Sequence, residues 1–399
     1  MKLQTLILLF SVAAVAAGCR SENATDVRKE FFPSGALRLV SEFKTGKRNG
    51  PATAYYETGE VSMVMQYKNN KTEGPFTEYY PDRTVKSTGT FKEGRLEGEK
   101  KDYYENGQLK MTAVYAGDNR AGLYQEYYPD GQVKIAGRYS YLEKNILTPG
   151  DKGGAPKIVT QWESLPDAGW KAFHPNGVVK KTQHYDQGLL EGPVEEYDEE
   201  GRLKSRGIFE EGAQVGYYQE YAQDGKLIVS REYKSGKLHN RSIEYFPDGT
   251  WKRVVSYKEG LEDGPAKEYY PSGQLKSREF YVKGSRSGKA ESYYEDGRLK
   301  AVASYCKDML CGASQIFYPK TGVLQLEAVV VDDKLDGVSK EYYPSGALKK
   351  VSHYKDNKKE GIETEYDPDG GILHENIYKS GIQVTAQIPE QEGLTISGR

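Results

Sequence analysis

The chain has 399 residues, of which 37% are hydrophobic, 29% charged and 12% aromatic, with 33 tyrosines and 44 glycines. That is too little aliphatic mass for a large conventional core, though enough for a thin sheet whose faces are covered by tyrosine rings. A net charge of −2 with both signs interspersed leaves no basic stripe for nucleic acid and no polybasic patch for a membrane surface.

Residues 1–18 read as a targeting segment and stand outside the fold. Lys2 supplies the positive region, Leu3 to Val15 the apolar run, and Ala16-Ala17-Gly18-Cys19 the cleavage site. This pattern resembles a bacterial lipoprotein signal peptide, which implies that Cys19 is acylated and heads the mature chain. An ordinary signal peptide with an incidental cysteine is the plainer alternative, and alanine stands three before Cys19 where leucine is commoner. Arg20 in place of aspartate after the cysteine points, under the familiar sorting rule, to the outer membrane. Residues 19–29 are then the lipidated cysteine and a short polar tether.

Beyond the tether the chain repeats itself. Turn positions fall at Gly35, Gly59, Arg83, Gly107 and Gly131, then from Gly177 to Gly297, and finally at Gly322, Gly346 and Gly370. The spacing is 24 residues, except for 46 between Gly131 and Gly177 and 25 where Thr321 is inserted. A fixed period of this size marks a repeat array, and fourteen copies are clear. The clearest runs from Gly264 to Gly288. Its strand Ala266–Tyr270, turn Pro271-Ser272-Gly273 and strand Gln274–Val282 read as a β-hairpin, with proline presetting φ and glycine taking the left-handed position. A plain ladder would place Tyr269 opposite Leu275 and Glu268 opposite Lys276, with Leu275 and Tyr281 on one face.

Taken in order, repeats 1–5 occupy residues 30–145 and are regular, although Arg83 replaces the turn glycine. Residues 146–170 break the pattern: TPGDKGGAP is loop-like, and the stretch is a degenerate repeat around Gly153 and Gly154 or an insertion. Repeats 6–14 follow over residues 171–379. Cys306 and Cys311 flank a four-residue loop there. If it is a hairpin turn they face each other, and export favours a disulfide over free thiols. A zinc site would need two further ligands, and the nearest histidine in sequence is His353. Residues 380–399 are a weakly patterned tail in which IQVTAQI could add a last strand over the open edge. The expected fold is all-β: an elongated, single-layer, twisted antiparallel meander of about fourteen 24-residue hairpins.

The recurring residues, Y-Y-x-x-G-x-[LV]-K followed by tyrosine and K-x-G, resemble the MORN repeat, and more closely its bacterial variant. EYYPSGQLK (268–276), EYYPSGALK (341–349), EYYPDGQVK (126–134) and SYYEDGRLK (292–300) carry the likeness. The variant family includes proteins described as antitoxin components of toxin–antitoxin modules. The resemblance implies a scaffold for interaction near membranes, with no catalytic domain left over.

Little in the sequence carries chemistry. The five histidines sit at unrelated repeat offsets, the recurrent Glu/Lys pairs read as cross-strand ion pairs, and GDKGGAP lacks the Walker lysine. Neither a cofactor nor a metal is expected. Tyr56, Tyr80, Tyr104 and Tyr128, three before the turn, form a ladder that reads as cover for a thin sheet or as a binding surface. The position then carries His174, Asp198 and Ala222 before aromatics return. The functional expectation is a non-enzymatic scaffold, lipid-anchored at the cell envelope and binding a protein partner through its aromatic surface. An antitoxin that neutralises a toxin, and a binder of envelope glycans, are the alternatives.

Overall fold

Each repeat grows from a turn that its residues dictate. Gly273, at φ 82°, donates its N–H to the Tyr270 carbonyl at 2.9 Å, while the Tyr270 N–H reaches the Gln274 carbonyl at 2.8 Å. A side chain at that φ is disfavoured by contact with its own backbone. Arg83 nevertheless holds φ 72° and keeps the bond to the Tyr80 carbonyl at 2.9 Å.

A computed structural model describes residues 25–148 and 157–384 of the chain. They fall into two units, one ending at Gly177 and the other beginning at Val178. Both are antiparallel β meanders, and no helix occurs among the described residues. Cys19, Gly153, Gly154 and most of the tail lie outside these residues.

The register departs from a plain ladder at one point. Tyr269 pairs with Leu275 as expected, but Glu268 pairs with Ser277, because a bulge between them takes up Lys276. One extra residue on the second strand reverses every later side chain. Ala266 pairs with Glu279 and lies three residues from Tyr269, hence on the other face. Tyr281 therefore points away from Leu275, and the single aromatic-aliphatic face expected from the sequence is divided between two faces. The ion pair survives the shift: Lys276 still reaches Glu268 at 2.8 Å, as Lys86 reaches Glu78 at 2.6 Å.

In each unit most of the core is a narrow row on the face bearing the aromatic eight after the turn. Ala52, Phe76, Ala113, Tyr124, Val255 and Ala266 are buried there. Large and small residues alternate across it. Phe76 packs on the Phe91 ring at 4.7 Å and fills the space above Gly89, where a Cβ would sit 2.7 Å from the Phe76 ring.

Successive hairpins join in a constant register, with Arg253, Val254 and Val255 pairing with Glu268, Lys267 and Ala266. The connecting turns carry two left-handed residues, such as Asn69 and Asn70 at φ 50° and 67°, the twist that suits antiparallel strands. Their side chains stitch neighbours together. Asn70 accepts from the Arg48 N–H, Asp118 from Leu96 and Asp308 from Arg286, each at 2.7 Å.

Two places differ from this plan. Val133–Thr148 and Lys157–Phe173 run beyond the usual strand ends and pair with each other from Ile135↔Ala172 to Thr148↔Lys157. The long interval between Gly131 and Gly177 is thus carried by one long hairpin among the described residues. At the other end, Ile382–Val384 folds back on Ile377–Lys379.

Candidate binding surface

The tyrosines three before the turn are the first candidates, and their hydroxyls are used within the array. Tyr56 donates to the Tyr79 carbonyl at 2.6 Å, Tyr80 to Tyr103 and Tyr104 to Tyr127 at 2.8 Å, and Tyr128 to Phe173 at 2.9 Å. Each acceptor belongs to the next hairpin, so each phenol latches its hairpin to the following one. The four rings are half-buried. At Tyr80, burial and then the Glu105 carboxylate push the phenol pKa up, which keeps the hydroxyl a donor. Tyr270, Tyr294, Tyr318 and Tyr343 make the same bond in the second unit.

A second aromatic group stands at the base of the long hairpin. Tyr124, Tyr139 and Trp170 form a triangle with ring centroids 5.2–5.8 Å apart. The Trp170 indole N–H donates to the Arg138 carbonyl at 3.1 Å, and Trp170 lies over Gly137, where no Cβ could fit. Arg120 rests its guanidinium 4.7 Å from the Tyr124 ring and 5.3 Å from Tyr139. Further along, Tyr141 and Trp162 face each other across the hairpin at 5.2 Å, and Trp162 is 49% exposed. Asn119 donates to the Tyr141 hydroxyl at 2.9 Å and Ser164 to the Arg120 carbonyl at 2.6 Å, which pins the hairpin to the preceding turn.

The geometry therefore separates two aromatic sets: the latch tyrosines, engaged in the array, and the rings on and beside the long hairpin, a packed Tyr124–Tyr139–Trp170 triangle and a Tyr141–Trp162 pair whose indole is half exposed. The Tyr141–Trp162 pair escapes a reading by repeat position because it falls where the period fails. Its signal in the sequence is the concentration of Trp162 and Trp170, two of only three tryptophans, inside the irregular interval.

The remaining candidates are dispersed. Cys306 and Cys311 are disulfide-bonded, with Cα atoms 5.8 Å apart. His353 shares a hydrogen bond with the Ile362 carbonyl at 2.9 Å, and His374 lies 2.9 Å from Glu365. Among the described residues no cluster of three His, Cys, Asp or Glu could hold a metal, and no helix is long and apolar enough to cross a membrane.

Seven segments match the family model of the MORN repeat variant: residues 48–69, 96–116, 120–141, 170–187, 262–283, 286–307 and 335–356. Seven copies of the MORN repeat variant are thus recognised in this chain. A comparison with curated proteins gives no match. Among solved structures, the chain is similar to the TcdB2-TccC3 crystal structure at 11% identity and a TM-score of 0.16, over 90% of this chain and 18% of that one. The form of that complex without its hypervariable C-terminal region gives 10% identity and 0.12, over 86% and 22%. A porin-like protein from Bacteroides uniformis gives 11% and 0.11, over 76% of this chain and 94% of that one. The MORN-variant array thus spans about a fifth of the first two chains.

Proposed function

We propose that this MORN-variant protein is a non-enzymatic scaffold, held at the bacterial envelope through Cys19, that binds a protein partner on the aromatic surface of its long hairpin around Tyr141 and Trp162. The observation that carries this reading is Trp162, 49% exposed yet fixed against Tyr141 on a prolonged hairpin. Tryptophan, tyrosine and arginine are the residue types that dominate protein interfaces, and Arg120 lies on the neighbouring Tyr124 and Tyr139 rings. The tyrosines at 56, 80, 104 and 128 then serve the scaffold and set the platform's rigidity.

Capture of the partner by tagged protein from its own cells tests the assignment. Trp162→Ala should weaken capture about thirtyfold, the loss of roughly 2 kcal/mol expected of a hot spot, while Tyr80→Phe should leave it unchanged. Thermal unfolding must show both variants folded. A folded Trp162→Ala protein that captures as well as wild type would move the binding surface elsewhere. Cys19→Ala should shift the protein from the membrane to the soluble fraction, and unchanged membrane retention would assign the anchor to another feature.

A further inference from the structure

The two ends of the array are unlike each other. The first strand, Thr25–Phe31, pairs on one side only among the described residues, with Leu37–Lys44. It is charged, with Arg28 and Lys29 exposed and Phe31 56% exposed. At the other end, Ile372–Lys379 pairs along its length with Gly361–Tyr366. On its outer side Ile382–Val384 covers only Ile377–Lys379. His374, Glu375 and Asn376 have no outer strand among the described residues. Around them Ile372 is 61% and Leu373 55% exposed, and Leu373 stands where most repeats carry lysine. An apolar open edge of this kind is a template for a further strand.

We propose that this edge receives the first strand of a second copy of the chain, so that copies join head to tail. The internal junctions supply the register. Within the array the residues four, five and six after a turn pair with those five, six and seven before the next, as Arg253, Val254 and Val255 do with Glu268, Lys267 and Ala266. Applied between copies, that rule sets His374, Glu375 and Asn376 of one copy against Glu30, Lys29 and Arg28 of the next. Lys29 and Glu375 are exposed and opposite in charge. Phe31 and Ile372 take the places of Tyr269 and Trp251, whose rings approach to 6.2 Å at an internal junction. The three residues Ile382–Val384, all exposed, occupy the place that Thr25–Val27 of the incoming copy would reach. They peel away when the strand docks.

Because the two surfaces differ, each contact leaves a free head and a free tail, so copies add in series until the rotation between them closes a ring. Sedimentation of the purified full chain should show species that grow with concentration. Lys29→Glu alone and Glu375→Lys alone should each weaken association at least tenfold, since like charges then face each other across the ladder. The double variant, or an equal mixture of the two single variants, should restore it. A fold defect cannot produce that rescue, and thermal unfolding of each single variant checks the point. A single species at every concentration, a dimer that stops at two, or association indifferent to both charge reversals would overturn the proposal. None of these outcomes bears on capture through Trp162.

Discussion

The repeats from Tyr56 to Tyr128 and those from Asp198 to Phe246 use one backbone and different fastenings. In the first run a phenol reaches the carbonyl of the following hairpin, so a bond crosses every junction. In the second run the same position carries Asp198, Ala222 and Phe246, and none of them has a phenol to donate. Asp198 instead turns inward: its carboxylate accepts from the Arg202 N–H at 2.8 Å and pairs with the Arg202 side chain at 2.7 Å. One run spends the position on contact between hairpins, the other on its own turns. The meander therefore needs only its ladder to form, and the latches add cohesion between neighbours.

The first run should break most severely at its far end, where Phe173 accepts the last latch. Trp170→Ala removes the indole that covers Gly137 and should cost about 3–5 kcal/mol. A loss of thermal stability well below that would mean the ladder alone carries the run. In the second unit the later latched stretch contains Glu291, whose pKa is held down to about 2 by hydrogen bonds first from Lys289, then from Tyr293 and Arg278. A carboxylate depressed in the fold stabilises fully above its unfolded value of about 4.5 and loses that contribution as pH falls toward 2. The contribution is on the order of 3 kcal/mol. Stability measured from pH 6 to pH 2 should fall with a shallower slope in Glu291→Gln, and parallel slopes would dismiss the pairing.

The latch itself is tested by Tyr80→Phe, which keeps the ring and deletes the donor, at a cost of about 1 kcal/mol. The same change at Tyr217, 57% exposed, should cost nothing measurable by denaturant unfolding. Arg83→Gly should stabilise the same run by about 1 kcal/mol, since it relieves a left-handed arginine. A decrease would show that Arg83 makes a compensating contact. The smallest effect is expected at Cys306–Cys311. The Cys311 N–H already donates to the Ser304 carbonyl at 2.8 Å, so the loop is closed without the disulfide. Reduction should lower stability by less than about 1 kcal/mol, below the usual range for a disulfide.

The hairpins, their number and their turns were legible in the sequence because the glycine and aromatic positions recur at a fixed period. The bulge was not, because Lys276 can meet Glu268 from either register, and the chemistry of the pair fits both. The latch was hidden for a different reason: the acceptor of each phenol is a main-chain carbonyl of another hairpin, 23 residues away for Tyr80 and 45 for Tyr128, and a carbonyl has no signature in the sequence. The Tyr141–Trp162 platform lay in the interval where alignment on the turn gives no guidance. There the pairing depends on two strands exceeding their usual length.

The latch of Tyr318 spans 24 residues where those of Tyr270, Tyr294 and Tyr343 span 23, because Thr321 has been added to the turn between donor and acceptor. The bond, at 2.8 Å, is no longer than those of Tyr270, Tyr294 and Tyr343, each at 2.9 Å. The tip of each hairpin can thus lengthen without disturbing the joint behind it. Every fastening runs only to the adjacent hairpin, so gain or loss of one complete copy would leave each surviving joint with its own donor and acceptor. Such a gene can change the reach of its product in steps of one hairpin, and no step requires a second, compensating change.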